Sequence, residues 1–201
     1  MTQRSAKHSA RKGAVPAKRV KIGLGSHRVS AATRRHLGGG AAVASASSKA
    51  NRAARDVDRY VAAIANATPI EIVELERAGV PGTLIKDLSR RLAISTTRMF
   101  ALIGVPKATA EKKAARGECV SGSGGQAAIG VVKLLAIAKE IVANSTATEA
   151  KNFDTAAWLG QWIERSQPAL GGRKPADLLD TPTGFEMVAR LLGSIASGAY
   201  Q

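Results

Sequence analysis

Gln167-Pro168-Ala169-Leu170-Gly171-Gly172-Arg173-Lys174-Pro175-Ala176-Asp177-Leu178-Leu179-Asp180-Thr181-Pro182 is the most heavily punctuated stretch of this 201-residue chain. Pro175 suits the first position of a short helix, where the N–H that proline lacks would have no partner anyway. Thr181 ahead of Pro182 reads as the N-cap of a second helix, its hydroxyl free to accept a first-turn N–H. Gly171-Gly172 lets the backbone take φ > 0 and pass close to another surface. A surface loop so specified reads as a recognition element rather than a connector. Two helix starts around one tight turn point to an all-α chain. No alternating run bounded by turn signals occurs between 60 and 201, so strands are not expected.

Working outward, Phe185, Val188, Ala189, Leu192 and Ile195 give the last helix its apolar face. Upstream, Asp154 or Thr155 begins a helix carrying Trp158, Leu159, Trp162 and Ile163. The two tryptophans stand four apart, on one face, and read as core anchors in preference to exposed contacts. Before them, Val131, Leu134, Leu135, Ala138, Ile141 and Val142 form a broad stripe on a central helix. The apolar run 127–143 contains Lys133, Lys139 and Glu140; it is too short and too charged to span a bilayer. The segment 121–125 reads as a glycine-serine loop.

Further upstream, Ser95 caps a helix with Met99, Phe100 and Ile103 inside, and Gly104-Val105-Pro106 makes a turn. A second short helix, Lys107–Arg116, ends at Gly117. Two short helices joined by a glycine turn, the second rich in cations, form a helix-turn-helix pattern. Thr97 and Arg98 on the first helix, and Lys107, Lys112, Lys113 and Arg116 on the second, are the candidate DNA contacts. The competing reading is a helical hairpin with a solvated basic face. Few of these side chains suit bidentate base readout, so phosphate contact is the better-supported role. Before this pair, Thr68-Pro69 opens a short helix, and Leu84, Ile85, Leu88 and Leu92 mark another by their spacing.

Charge is distributed unevenly along the chain. Residues 1–55 hold thirteen Lys or Arg and no acid. Through Arg59 the net charge is +12, whereas 60–201 contributes only +3 of the total +15. The leader 1–58 lacks the apolar surface to offset ordering entropy and is expected to be disordered. It reads as a solvated tail, a polycation for nucleic-acid phosphates, an organellar presequence, or the product of an overlong reading frame. All three histidines (His8, His27, His36) lie within it, leaving the body one cysteine, Cys119. That excludes a Ser-His-Asp triad, a Cys-His pair and an ordinary zinc site from the body. A lone cysteine fits a reducing compartment, and the chain is expected to be soluble and cytoplasmic. Asp177 and Asp180, like Glu71 and Glu74, stand three apart on helices, a spacing common on solvated faces. No metal, no cofactor and no catalysis are expected.

The pattern Pro-Ala-Leu-Gly-Gly-x-x-Pro-x-x-Leu-Leu-x-Thr-x-x-Gly, followed by Leu-Leu-Gly-x-Ile and a terminal Gly-Ala-Tyr, resembles the Xre/ParS/MbcA-type antitoxins. The likeness is close over 153–200, their toxin-binding region, and looser over 79–143, their helix-turn-helix region. It implies an antitoxin of a two-gene module whose partner is a RES-domain toxin acting on NAD. It further implies a homodimer that binds operator DNA and represses its own operon. Carried over residue by residue, the toxin-binding positions are Gly171, Gly172, Arg173, Gly198, Ala199 and Tyr200. Leu170, Pro175, Leu178, Leu179, Thr181 and Gly184 match the same pattern, and Leu170, Leu178, Leu179 and Thr181 are read as scaffold. The family usually has Asn where this chain has Gln167. The division expected is a disordered tail over 1–58, a helix-turn-helix-like dimerisation domain over 59–143, and a toxin-binding domain over 144–201. The alternative is a basic architectural protein that holds nucleic acid through its tail.

Overall fold

The computed structural model describes residues 40–146 and 148–196. Eight α-helices carry the fold: α1 (Gly40–Ala65), α2 (Pro69–Ala78), α3 (Gly82–Arg91), α4 (Thr96–Leu102), α5 (Lys107–Arg116), α6 (Gly122–Ala143), α7 (Thr155–Ile163) and α8 (Pro182–Ala196). The short 3-10 turns Thr148–Asn152, Pro168–Leu170 and Pro175–Asp177 complete the helical structure.

The caps sit where the side-chain chemistry requires them. At α2, Thr68 Oγ1 accepts the Glu71 N–H, while Glu71 Oε2 accepts the Thr68 N–H at 2.8 Å, with Pro69 following as the first helical residue. The Thr68 backbone N–H, and after it the Thr68 hydroxyl, donate to Glu71 Oε2 and hold its carboxyl below the usual range. Ser95 Oγ accepts the Arg98 N–H at 3.1 Å to start α4. Asp154 does the same for α7 by accepting the Ala157 N–H at 3.1 Å, and that bond, with Arg91 adding to it, lowers its carboxyl pKa.

Helix α6 is the axis of the molecule. It is apolar nearly all the way round, and Ile129, Val131, Val132, Leu134, Leu135 and Ala138 are all buried, as expected of a helix enclosed on several sides. Around it pack α1, α2, α7 and α8, while α3, α4 and α5 form a triangle closed against α1. The buried cluster runs without a break from Val57 on α1 to Leu192 on α8.

Three expectations need correction. The tail expected over 1–58 gives way to helix at Gly40; 1–39 lies outside the described residues. Alanine, the best helix former, fills much of 41–54, and Ala53, Val57, Val61 and Ile64 recur at helical spacing and are buried. That burial offsets an ordering cost which composition alone cannot. Second, 121–125 is not a loop: α6 starts at Gly122, and Gly124 and Gly125 are buried. Packing of this helix end overrides the poor propensity of glycine.

Third, strands do occur, as a two-residue antiparallel ladder between β1 (Val80–Pro81) and β2 (Cys119–Val120), with Val80 opposite Val120. Two residues are too few to leave a periodic trace in sequence. The pairing exists because α3, α4 and α5 bring these points together. Across the expected boundary between 143 and 144, α7 and α8 pack on α6 within the same buried cluster.

Candidate functional site

The loop 167–174 closes on itself through its backbone. The Gln167 N–H donates to the Arg173 carbonyl at 3.0 Å, and the Gly172 N–H returns a bond to the Gln167 carbonyl at 3.0 Å. Within that ring, the Leu170 N–H also reaches Gln167 O at 3.0 Å, and the Gly171 N–H reaches Pro168 O at 2.9 Å. The reversal requires φ of +66° at Gly171 and +78° at Gly172, the left-handed region that glycine enters without penalty. Among the described residues, no atom beyond the adjoining residues lies within 4 Å of where a Cβ would stand on either glycine. Their outer face is therefore open to another surface, and Arg173 beside them is exposed.

The ring is fixed from below. Leu170 and Leu179 are buried, as are Pro175 and Ala176, and Leu178 packs partly against the same core. Thr181 Oγ1 accepts the Gly184 N–H at 3.1 Å and starts α8, as its position before Pro182 predicts. Gln167 is itself buried, and its side-chain amide donates to the Arg165 carbonyl at 3.3 Å. The longer side chain thus bonds back along the chain while the backbone makes the turn. Gly198, Ala199 and Tyr200 lie outside the described residues.

Four charged side chains tie this loop to the rest of the molecule. Arg98 on α4 donates from Nε to Glu164 Oε1 at 2.6 Å and from Nη2 to Glu164 Oε2 at 3.2 Å. The same Nη2 reaches Asp177 Oδ1 at 3.1 Å, and Lys174 stands 3.7 Å from Glu164. Hydrogen bonding to Glu164 raises the already high pKa of Arg98. The sequence reading gives Arg98 to DNA; the structure turns its guanidinium toward two carboxylates at the ends of the loop. Glu164 and Asp177 escape sequence reasoning because their partner Arg98 is 66 and 79 residues away in the chain.

The other cations expected at DNA remain on the surface. Thr97 is exposed in the first turn of α4, and Lys107, Lys112 and Arg116 are exposed on α5. Lys107 lies 4.0 Å from Glu111 and Arg116 lies 3.7 Å from Glu118, both solvent-exposed pairs of the kind worth little. Lys113 is half-buried and donates to the Cys119 carbonyl at 2.9 Å. Helix α5 buries Ala110 and half-buries Lys113 and Ala114 against α3, α4 and β2, and its other residues face outward.

Trp158 and Trp162 stack with ring centroids 6.1 Å apart, and Phe153 tilts onto Trp158 at 6.0 Å. Trp162 is buried and Trp158 half-buried, in keeping with anchors of the core, whereas Phe153 is 43% exposed at its edge. Among the described residues, no cluster of three or more His, Cys, Asp or Glu is placed to hold a metal ion. No helix among them is long and apolar enough to cross a membrane.

Residues 152–198 match the family model described as the antitoxin Xre/MbcA/ParS C-terminal toxin-binding domain. That span begins just before α7 and encloses the ring, its buried leucines and α8. The chain is also similar to the Prs ADP-ribosylating antitoxin of Sphingobium sp. (strain YBL2), 33% identical over 138 residues that cover 69% of this chain and 86% of the relative. Likeness on that scale, reaching well upstream of the toxin-binding span, places this chain in the Xre/MbcA/ParS-type antitoxins, as a toxin-binding and non-catalytic member of a toxin–antitoxin system.

Proposed function

We propose that the ring 167–174, together with Gly198, Ala199 and Tyr200, covers the NAD-binding mouth of a RES-domain toxin. The observation that carries this reading is the open outer face of Gly171 and Gly172 at the centre of the matched toxin-binding span. With no side chain above those glycines, toxin backbone can approach closely. Arg173 beside them supplies five donors in a rigid fork, which suits a carboxylate or carbonyl cluster at a binding mouth. The name of the Sphingobium relative refers to ADP-ribosylation, chemistry that consumes NAD and is blocked if NAD cannot enter. The antitoxin then works by occlusion, with no reaction of its own, in the cytoplasm where NAD is supplied.

The second part of the proposal concerns DNA. Lys107, Lys112, Lys113 and Arg116 on α5 form an outward cationic face for operator phosphates, with Thr97 at its flank. Arg98 is left out, since its charge is matched by Glu164 and Asp177. A homodimer would present two such helices to two half-sites, giving repression of its own operon.

The toxin contact is tested with Arg173→Glu and with deletion of 197–201, each assayed against purified RES-domain toxin by NAD consumption or ADP-ribosyl transfer. Each variant should weaken inhibition by about a hundredfold, the loss expected when a central hot spot is reversed or removed. Circular dichroism should show the helical body intact. Full inhibition by both variants would place the toxin contact elsewhere.

A further inference from the structure

Arg98 occupies a place that neither toxin occlusion nor DNA contact explains. It stands on α4, yet its guanidinium bridges Glu164, at the C-cap of α7, and Asp177, in the 3-10 turn Pro175–Asp177. Those two carboxylates lie on either side of the ring 167–174. The ring's internal hydrogen bonds are all backbone bonds between its own residues, which set its shape but not its attitude to the body. Buried Leu170 and Gln167 hold the ring from below, Gln167 also through its bond to the Arg165 carbonyl, and leave the exposed residues 171–174 room to tilt. A guanidinium fork fixed to both ends removes that freedom, since its planar donors meet one carboxylate in two-point fashion and the other from the same nitrogen.

Resting on the assignment of the ring as the toxin contact, we infer that Arg98, through Glu164 and Asp177, is a positioning residue that holds the ring in its toxin-binding attitude. It touches no partner itself. Holding the ring before binding removes part of the ordering cost that association otherwise meets, so the effect falls on affinity. The Arg98 side chain is 35% exposed and that of Glu164 29% exposed, so a loss confined to the ring and a loss of the whole fold are read apart by comparing exchange there with exchange in α6.

The experiment uses the full chain with Arg98→Ala, Arg98→Lys and Glu164→Gln, and it has three readouts. Amide hydrogen exchange of the free antitoxin reports on the ring at Gln167 and Gly172, thermal unfolding reports on the fold, and surface binding to purified RES-domain toxin reports on affinity. Arg98→Ala should speed exchange at the ring about tenfold relative to α6 amides, a local opening rather than a global one. Its toxin affinity should fall about tenfold, mostly through faster dissociation. Arg98→Lys keeps the charge but loses the fork, and should lose only about threefold. Glu164→Gln should loosen the ring while leaving α4 in place, which keeps the test open if Arg98→Ala does not fold. Unchanged ring exchange in these variants overturns the positioning role. Faster ring exchange with unchanged affinity overturns the ring as toxin contact, and this inference falls with it. A lower melting temperature with ring and α6 exchange rising together marks Arg98 as merely structural and overturns the role as well.

Discussion

Gly184 lies where the first turn of α8 passes over the Leu178 carbonyl, and a Cβ there would sit inside contact distance of that oxygen and 2.8 Å from Thr181 Oγ1. The Thr181 cap and the Leu178 turn can share this space only because no side chain fills it. Gly184→Ala should therefore destabilise the chain by about 3 kcal/mol, the upper end of overpacking costs. Calorimetry should show it as a fall in melting temperature of about 8 °C. At this scale much of the site is legible in advance. Positive φ at Gly171 and Gly172, the Thr181 cap and the proline-led starts all follow from what single residues permit in their own backbone. Arg98 does not follow, because nothing near it in sequence reports a carboxylate 66 residues downstream. Its ion pairs to Glu164 and Asp177 could not be foreseen for that reason.

Among the elements, α5 gives little of its surface to the core. It buries only Ala110 and ends at Gly117 with φ of +67°, the left-handed cap that lets the chain turn back toward β2. Such a helix tolerates substitution on its outer face, so its cations can be removed without harming the fold. Lys112→Ala with Lys113→Ala and Arg116→Ala should weaken operator binding and reduce the salt slope by about 3, close to one unit for each phosphate the helix no longer neutralises. Melting temperature should stay within a few degrees, since the hydrogen bond from Lys113 to Cys119 is on the surface. A mobility-shift titration at several salt concentrations checks it, and an unchanged slope would remove α5 from the interface. Element type and position are legible for α3, α4, α5, α7 and α8, where spacing and caps agree. They are not legible for β1 and β2 or for the first turn of α6, which exist because other elements press on them.

Taken whole, the described residues share one core rather than two, with α6 in contact with α1, α2, α7 and α8. Unfolding should accordingly be a single transition in calorimetry and by tryptophan fluorescence, with coincident midpoints. A fragment limited to 144–201 should not fold, because Leu159, Ile163, Val188 and Leu192 would lose the face of α6 that buries them. A deletion of 1–39 stops short of α1 and spares Ala53 and Val57. It should leave toxin inhibition intact and lower non-specific DNA affinity, since this segment carries ten Lys or Arg and no acid. Cutting at 58 instead would remove Ala53 and Val57 from the core and reduce stability as well.

Sequence by itself determined the all-α class, the capped starts of α2, α4, α7 and α8, the shape of the glycine turn, and the family likeness of the last quarter. These depend on interactions within a few residues, or on a spacing pattern that survives without the rest of the fold. Tertiary structure alone decided that helix reaches back to Gly40, that one buried cluster extends from α1 to α8, and that Arg98 pairs with Glu164 and Asp177. Each of those outcomes turns on which distant groups become neighbours. Burial can repay the ordering of a weak helix, and a carboxylate can claim a guanidinium, only once the chain has brought them together.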